Sequence, residues 1–162
     1  MSTASAEVAE NTDGYVFNHV MLRVKDPDVS LAFYRRVFGM ELLHKREMPA
    51  GRFTLYFLAR TQGDTVPEDP EQRRSYTNAR QGVLELTHNW GTEDDPDAQY
   101  HNGNDEPQGY GHICFTVPDL DAAVAWMDAN DVTFQKRPED GSMKNIAFVR
   151  DPDGYWIELV AR

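Results

Sequence analysis

Four side chains in this sequence could do chemistry together: His19, Glu85, His112 and Glu158. Each sits in a run of apolar and β-branched residues, at 16–24, 83–88, 112–117 and 155–160. Such runs read as strands. Strand residues alternate between two faces. His19 therefore shares a face with Met21 and Arg23, and His112 with Cys114 and Thr116. Glu85 goes with Val83 and Thr87, and Glu158 with Trp156 and Val160. A carboxylate placed in an apolar strand needs a cation or a raised pKa, because burying it unpaired costs several kcal/mol. The cations to hand are Arg23 or a metal ion. Two imidazoles and two carboxylates suit Zn2+, Ni2+, Co2+ or Fe2+ better than Ca2+ or a thiolate-loving ion. Cys114 is the single cysteine, which excludes a cysteine-rich zinc site and an intramolecular disulfide.

The elements that carry these residues repeat. The first copy reads strand 16–24, helix 29–38 ended by Gly39, then strands 41–46, 53–59 and 83–88. The second reads strand 112–117, helix 120–130, then strands 132–136, 146–150 and 155–160. Asp26-Pro27-Asp28 and Pro118-Asp119 are expected to end each first strand ahead of the helix that follows. At an offset of 93, His19 falls on His112, Asp26 on Asp119 and Phe33 on Trp126. The His-to-Glu separation is 66 residues in one copy and 46 in the other, and the difference of 20 is the length of segment 61–80. That segment, rich in charge and holding Gly63, Pro67 and Pro70, reads as an exposed insertion, partly helical at its end. The expectation is an α+β protein of two βαβββ modules: a disordered tail at 1–14, then a single domain over 15–160. Module one spans 15–90, a Gly- and Pro-rich linker 91–109, and module two 110–162.

The 162 residues carry 16 Lys plus Arg against 27 Asp plus Glu, a net charge of −11. The acid excess argues against nucleic acid and an anionic membrane surface as partners. It leaves room for an anionic small ligand, provided cations gather at its site. No transmembrane stretch and no signal peptide are visible, so a cytoplasmic protein is expected.

Several stretches resemble the glyoxalase I (lactoylglutathione lyase) family of the vicinal-oxygen-chelate superfamily. They include Met21-Leu22-Arg23-Val24-Lys25-Asp26-Pro27, Leu84-Glu85-Leu86-Thr87-His88-Asn89-Trp90-Gly91-Thr92-Glu93, Gly109-Tyr110-Gly111-His112-Ile113 and Asp151-Pro152-Asp153-Gly154-Tyr155-Trp156-Ile157-Glu158. The resemblance spans about residues 16–160. It implies barrel-like sheets paired in a homodimer, with active sites at the interface and each metal held by two ligands from each subunit. It places the metal ligands on His19, Glu85, His112 and Glu158, and glutathione contacts on Arg23, Asn89, Lys136, Gly141, Met143 and Trp156, with Lys144 nearby. An Arg expected before the Gly-aromatic-Gly-His run is Gln108 here. In this family, members with the 61–80-type insertion are usually zinc enzymes, so Zn2+ is favoured, with Ni2+ or Co2+ as the alternative that His19 keeps open.

The implied activity is isomerisation of the methylglyoxal–glutathione hemithioacetal to S-D-lactoylglutathione through an enediolate. Glutathione is the co-substrate, and the reaction detoxifies methylglyoxal. The resemblance makes Glu158 the principal base, with Glu85 as the metal-bound partner acting on the other epimer. The alternative is another metal-dependent enzyme of the superfamily, such as an extradiol dioxygenase; a ligand-sequestering binding protein is a third reading. His44, His88 and His101 are expected to be structural or surface groups, and Cys114 a small core residue. Met48, Phe53, Leu55 and Phe57 either line a pocket for the substrate's methyl group or simply pack.

Overall fold

The computed structural model describes residues 12–162. The tail expected at 1–14 lies, as far as residue 11, outside the described residues. Module one runs β1 (His19–Val24), α1 (Pro27–Phe38), β2 (Glu41–Met48), β3 (Phe53–Ala59), α2 (Pro70–Asn78) and β4 (Val83–Asn89). Module two runs β5 (His112–Val117), α3 (Leu120–Ala129), β6 (Phe134–Lys136), β7 (Ile146–Arg150) and β8 (Trp156–Ala161). The sheets are ordered β1-β4-β3-β2 and β5-β8-β7-β6. In both, the first strand of the module pairs in parallel with the last, and the remaining pairs are antiparallel. The α+β repeat expected from the sequence is the observed architecture.

The turn residues end the first strands as expected and also cap the helices that follow. β1 ends at Val24, ahead of Asp26-Pro27-Asp28, and α1 begins at Pro27 rather than at 29. The Asp26 carboxylate accepts from the backbone N–H groups of Asp28 and Val29, and Pro27 fills the first turn, where its missing N–H is no loss. Asp119 does the same for α3 through Ala122 N, and Asp69 for α2 through Gln72 N. Gly39 ends α1 at φ 62°, a left-handed conformation suited to glycine. The first strand begins at His19 rather than at 16, and Phe17 is exposed.

The faces opposite the candidate ligands build one core shared by both modules. Leu22, Val24, Leu84 and Leu86 from one sheet and Ala147, Val149, Ile157 and Leu159 from the other are buried in it, together with Phe33, Tyr34, Val37 and Phe38 of α1. The Phe38 and Phe115 rings stack at 4.4 Å across the seam. Trp126 Nε1 donates to the Val37 carbonyl at 2.9 Å. The turn before β8 also crosses over. Asp153 accepts from Lys25 N at 2.9 Å and Ser30 Oγ at 3.2 Å, and buried Asp151 accepts from the Tyr34 hydroxyl at 2.8 Å. Burial of Asp151 pushes its carboxyl up to about 6. With the apolar faces covered by α1 and α3 in this shared core, both His-bearing faces are left open.

Candidate metal centre

Parallel pairing places each histidine beside its glutamate. In the first sheet Met21 lies opposite Glu85, so His19, two residues earlier on the same face, is diagonal to it. In the second, Cys114 lies opposite Glu158 and His112 takes the same diagonal place. The result is two His–Glu pairs. His19 Nε2 is 2.9 Å from Glu85 Oε2, and His112 Nε2 is 3.3 Å from Glu158 Oε2. Among the described residues no three His, Cys, Asp or Glu side chains gather to hold a metal. The four expected ligands thus appear in one chain as two half-sets.

The first pair is built for a cation. The Asn18 amide nitrogen donates to the carbonyls of Thr77, Asn78 and Arg80 at 2.8, 3.2 and 2.8 Å. The atom of Asn18 facing His19 Nδ1 at 2.7 Å is therefore its carbonyl oxygen, an acceptor, and Nδ1 must carry the proton. In the neutral ring this leaves a lone pair on Nε2, aimed at a carboxylate oxygen. Two lone pairs at that distance repel unless a proton or a metal ion lies between them. A histidine with its far nitrogen protonated and fixed is the usual form of a metal-ligating imidazole. The donor set fits a divalent ion.

The second pair is looser. Glu158 keeps 20 % of its side chain exposed against 11 % for Glu85, whose other oxygen accepts from the Thr87 hydroxyl at 3.3 Å. Among the described residues His112 Nδ1 has no hydrogen-bond partner; its ring packs at 5.1 Å and 74° against Phe148. Phe57 packs at 5.8 Å and 84° against His19 in the matching place. Each of these phenylalanines pairs with the glutamate of its own sheet. Cys114, expected in the core, is instead exposed on the site face. Partial desolvation, then a hydrogen bond to Glu158 and its charge, push its thiol up to about 11. It is a neutral donor at pH 7, not a nucleophile.

The other expected site residues lie on the same faces or on loops beside them. Arg23 and Asn89 are exposed on β1 and at the end of β4, and Trp156 is half-buried opposite His112. Lys136 Nζ donates to the carbonyls of Arg137, Met143 and Ile146, which ties it into the loop that carries Gly141 and exposed Met143. Lys144 Nζ donates to the Glu139 carbonyl. Gln108 is exposed and donates to the Asn104 carbonyl at 3.4 Å. His88 and Glu93 prove to be structural: His88 Nε2 is 2.6 Å from the Glu93 carboxylate, which also accepts from Gly91 N. Sequence reasoning missed Asn18. No local signal marked it, because the carbonyls it binds lie about 60 residues away.

Residues 16–159 match the family model described as the Glyoxalase/Bleomycin resistance protein/Dioxygenase superfamily. A lactoylglutathione lyase of Pseudomonas aeruginosa is 60 % identical over 149 residues, which cover 92 % of this chain and 84 % of the relative. Glyoxalase I of Saccharomyces cerevisiae is 45 % identical over 95 % of this chain and 47 % of its own length. The solved structure of the Leishmania major glyoxalase I, described as trypanothione-dependent, superposes with a TM-score of 0.65 at 34 % identity, covering 91 % of this chain and 87 % of that one.

Proposed function

This chain belongs to the Glyoxalase/Bleomycin resistance protein/Dioxygenase superfamily, and we propose that within it the chain is a lactoylglutathione lyase. It would convert the methylglyoxal–glutathione hemithioacetal to S-D-lactoylglutathione. The observation that carries this reading is the His19–Glu85 pair, whose facing lone pairs and Asn18-fixed tautomer suit a divalent ion between them. The 60 % identity to a lactoylglutathione lyase supports the choice of reaction.

His19, Glu85, His112 and Glu158 would hold the metal, zinc in preference to nickel or cobalt. Each module offers only one pair, and two side chains are fewer than the three or four protein ligands such an ion takes. A homodimer that brings module one of one copy to module two of the other would complete the set. The open, solvent-facing site faces are where such a partner fits. A divalent ion held there would supply Lewis-acid stabilisation of the developing oxyanion.

The remaining work falls to the chain. Glu158 takes the proton from the hemithioacetal carbon that bears sulfur and returns it to the neighbouring carbon. It is the more exposed of the two carboxylates, which favours it for moving a proton. Glu85, held by both His19 and Thr87, serves the other epimer. Arg23 and Asn89 on the sheet, with Lys136, Gly141, Met143 and Trp156 on the facing loop and strand, orient the glutathionyl arm. Arg23 can take a glutathione carboxylate bidentately. Among the described residues no helix is long and apolar enough to cross a membrane.

Chelation tests the reading directly. Exhaustive removal of metal should abolish turnover of the hemithioacetal, with recovery on adding Zn2+ and not Ni2+. Full activity in the metal-free protein would remove the mechanism; recovery with Ni2+ alone would move the chain to the other metal class.

A further inference from the structure

The site face extends beyond the proposed ligands. Paired residues of neighbouring strands point the same way. Glu85 pairs with Met21 and Phe57, and Phe57 pairs in turn with His44. Two residues along, Thr87 pairs with Arg23 and Leu55, and Leu55 with Arg46. His44 and Arg46 therefore stand on the same face as His19 and Glu85, at the opposite edge of the sheet from Arg23. His44 is two strands from Glu85, roughly 10 Å. Phe57 bridges the interval: its ring meets His19 at 5.8 Å on one side and stacks on His44 at 5.8 Å on the other.

Helix α2 overhangs this outer edge. His44, Arg46 and Phe57 from the sheet, with Arg74, Thr77 and Asn78 from the helix, line a cavity of 110 Å³. Neither Arg46 nor Arg74 has an ion pair among the described residues, and both are exposed. In a chain of net charge −11, two free guanidiniums converging on one small cavity are a local exception. The field is strong enough to register on His44. Burial, and then the charges of Arg46, Arg74 and Arg73, hold its imidazole below the ordinary range, so at pH 7 it is a neutral hydrogen-bonding group between cations. The cavity is far smaller than the roughly 300 Å³ at which pockets for whole ligands begin. It has room for one carboxylate or phosphate.

We propose that this cavity is a subsite for an anionic substituent on the aldehyde-derived end of the substrate, held by Arg46, Arg74 and His44. The proposal rests on the lyase reading above. Arg23 and Asn89 orient the glutathionyl arm from β1 and the far end of β4, so a substituent leaving the reacting carbons the other way passes over Phe57 and meets His44. A carboxylate there would accept charge-assisted hydrogen bonds from two arginines.

The test compares two glutathione hemithioacetals of one size, made from 4,5-dioxopentanoate and from its neutral methyl ester, with methylglyoxal as the reference. The metal-loaded protein should favour the carboxylate over the ester by about tenfold in kcat/KM, and the preference should shrink as salt is raised. In Arg46→Gln/Arg74→Gln the ratio should fall toward one. A wild-type ratio at or below one overturns the proposal. So does a loss on the methylglyoxal adduct as large as on the carboxylate adduct, because the cavity would then be holding a glutathione carboxylate. Absence of turnover of the methylglyoxal adduct by wild type would defeat the lyase reading instead. Thermal melting of the double variant separates a folding defect from a lost contact.

Discussion

Laid over each other, the two modules match His19 with His112, Glu85 with Glu158 and Phe57 with Phe148. The residue before the histidine is Asn18 in one and Gly111 in the other. In module one the insertion returns through α2, and three of its carbonyls orient Asn18, which fixes the His19 ring. Module two has no insertion, and among the described residues nothing holds His112 Nδ1. The stretch before its last strand, 151–154, reaches across the seam to Lys25, Ser30 and Tyr34 instead. The duplication has kept the donors and diverged in what supports them. One half-set is braced by the insertion and the other is not, which matches the proposed division between holding an ion and moving a proton.

The glutamates give the largest contrast. Glu158→Gln should lower kcat on the order of 10³-fold, because a general base of this kind contributes 10²–10⁴, while metal still copurifies through the remaining donors. Glu85→Gln should instead lose most of its metal. Its amide N–H can satisfy the His19 lone pair, and the repulsion that called for a cation is gone. Metal content after dialysis, measured beside kcat, separates the two. If both variants lose metal equally, the division of labour between modules is wrong.

The bracing itself was not legible in the sequence, although the two His–Glu pairs were. His19, Glu85, His112 and Glu158 could be read because strand alternation and duplication put matched polar groups on matched faces. Those signals are local and periodic. The contact of Asn18 with the carbonyls at 77–80 joins residues about 60 apart through an irregular return, which no periodicity encodes. The same limit explains Asp26 and Asp119. Both mark the end of a strand, but a Pro–Asp pair in isolation looks only like a turn and becomes a helix cap once the following helix is docked. Cys114 was expected in the core from its residue type, yet strand register puts it on the open face with His112.

Asn18→Ala tests the bracing and should have a smaller effect than either glutamate change. Removing a partner that orients a metal-bound histidine typically costs 10–100-fold in affinity. Competition with a chromophoric chelator should show a loss of that size, and Co2+ spectra should report altered coordination independently of turnover. Unchanged affinity would mean that Phe57 and Glu85 suffice to hold His19, and the modules would then be equivalent.

The smallest effect concerns the seam that module two builds in place of bracing. The buried Asp151 carboxyl keeps its proton up to about 6 in the folded chain, against an ordinary value of 3.8. Between those values the folded state binds more protons than the unfolded state, so this group's contribution to stability is greatest in acid and is lost as pH rises through about 6. Lowering the pH from 7 to 5 should therefore stabilise the wild type by about 1 kcal/mol relative to Asp151→Asn. The variant keeps the acceptors for Asp153 N and Tyr155 N but has no titrating proton. Urea unfolding of both proteins at the two pH values measures the difference, with the other carboxylates cancelling between them. A gap that does not change with pH would mean that Asp151 is ionised in the folded chain throughout, and that the Tyr34 hydroxyl and the two backbone N–H groups outweigh its burial.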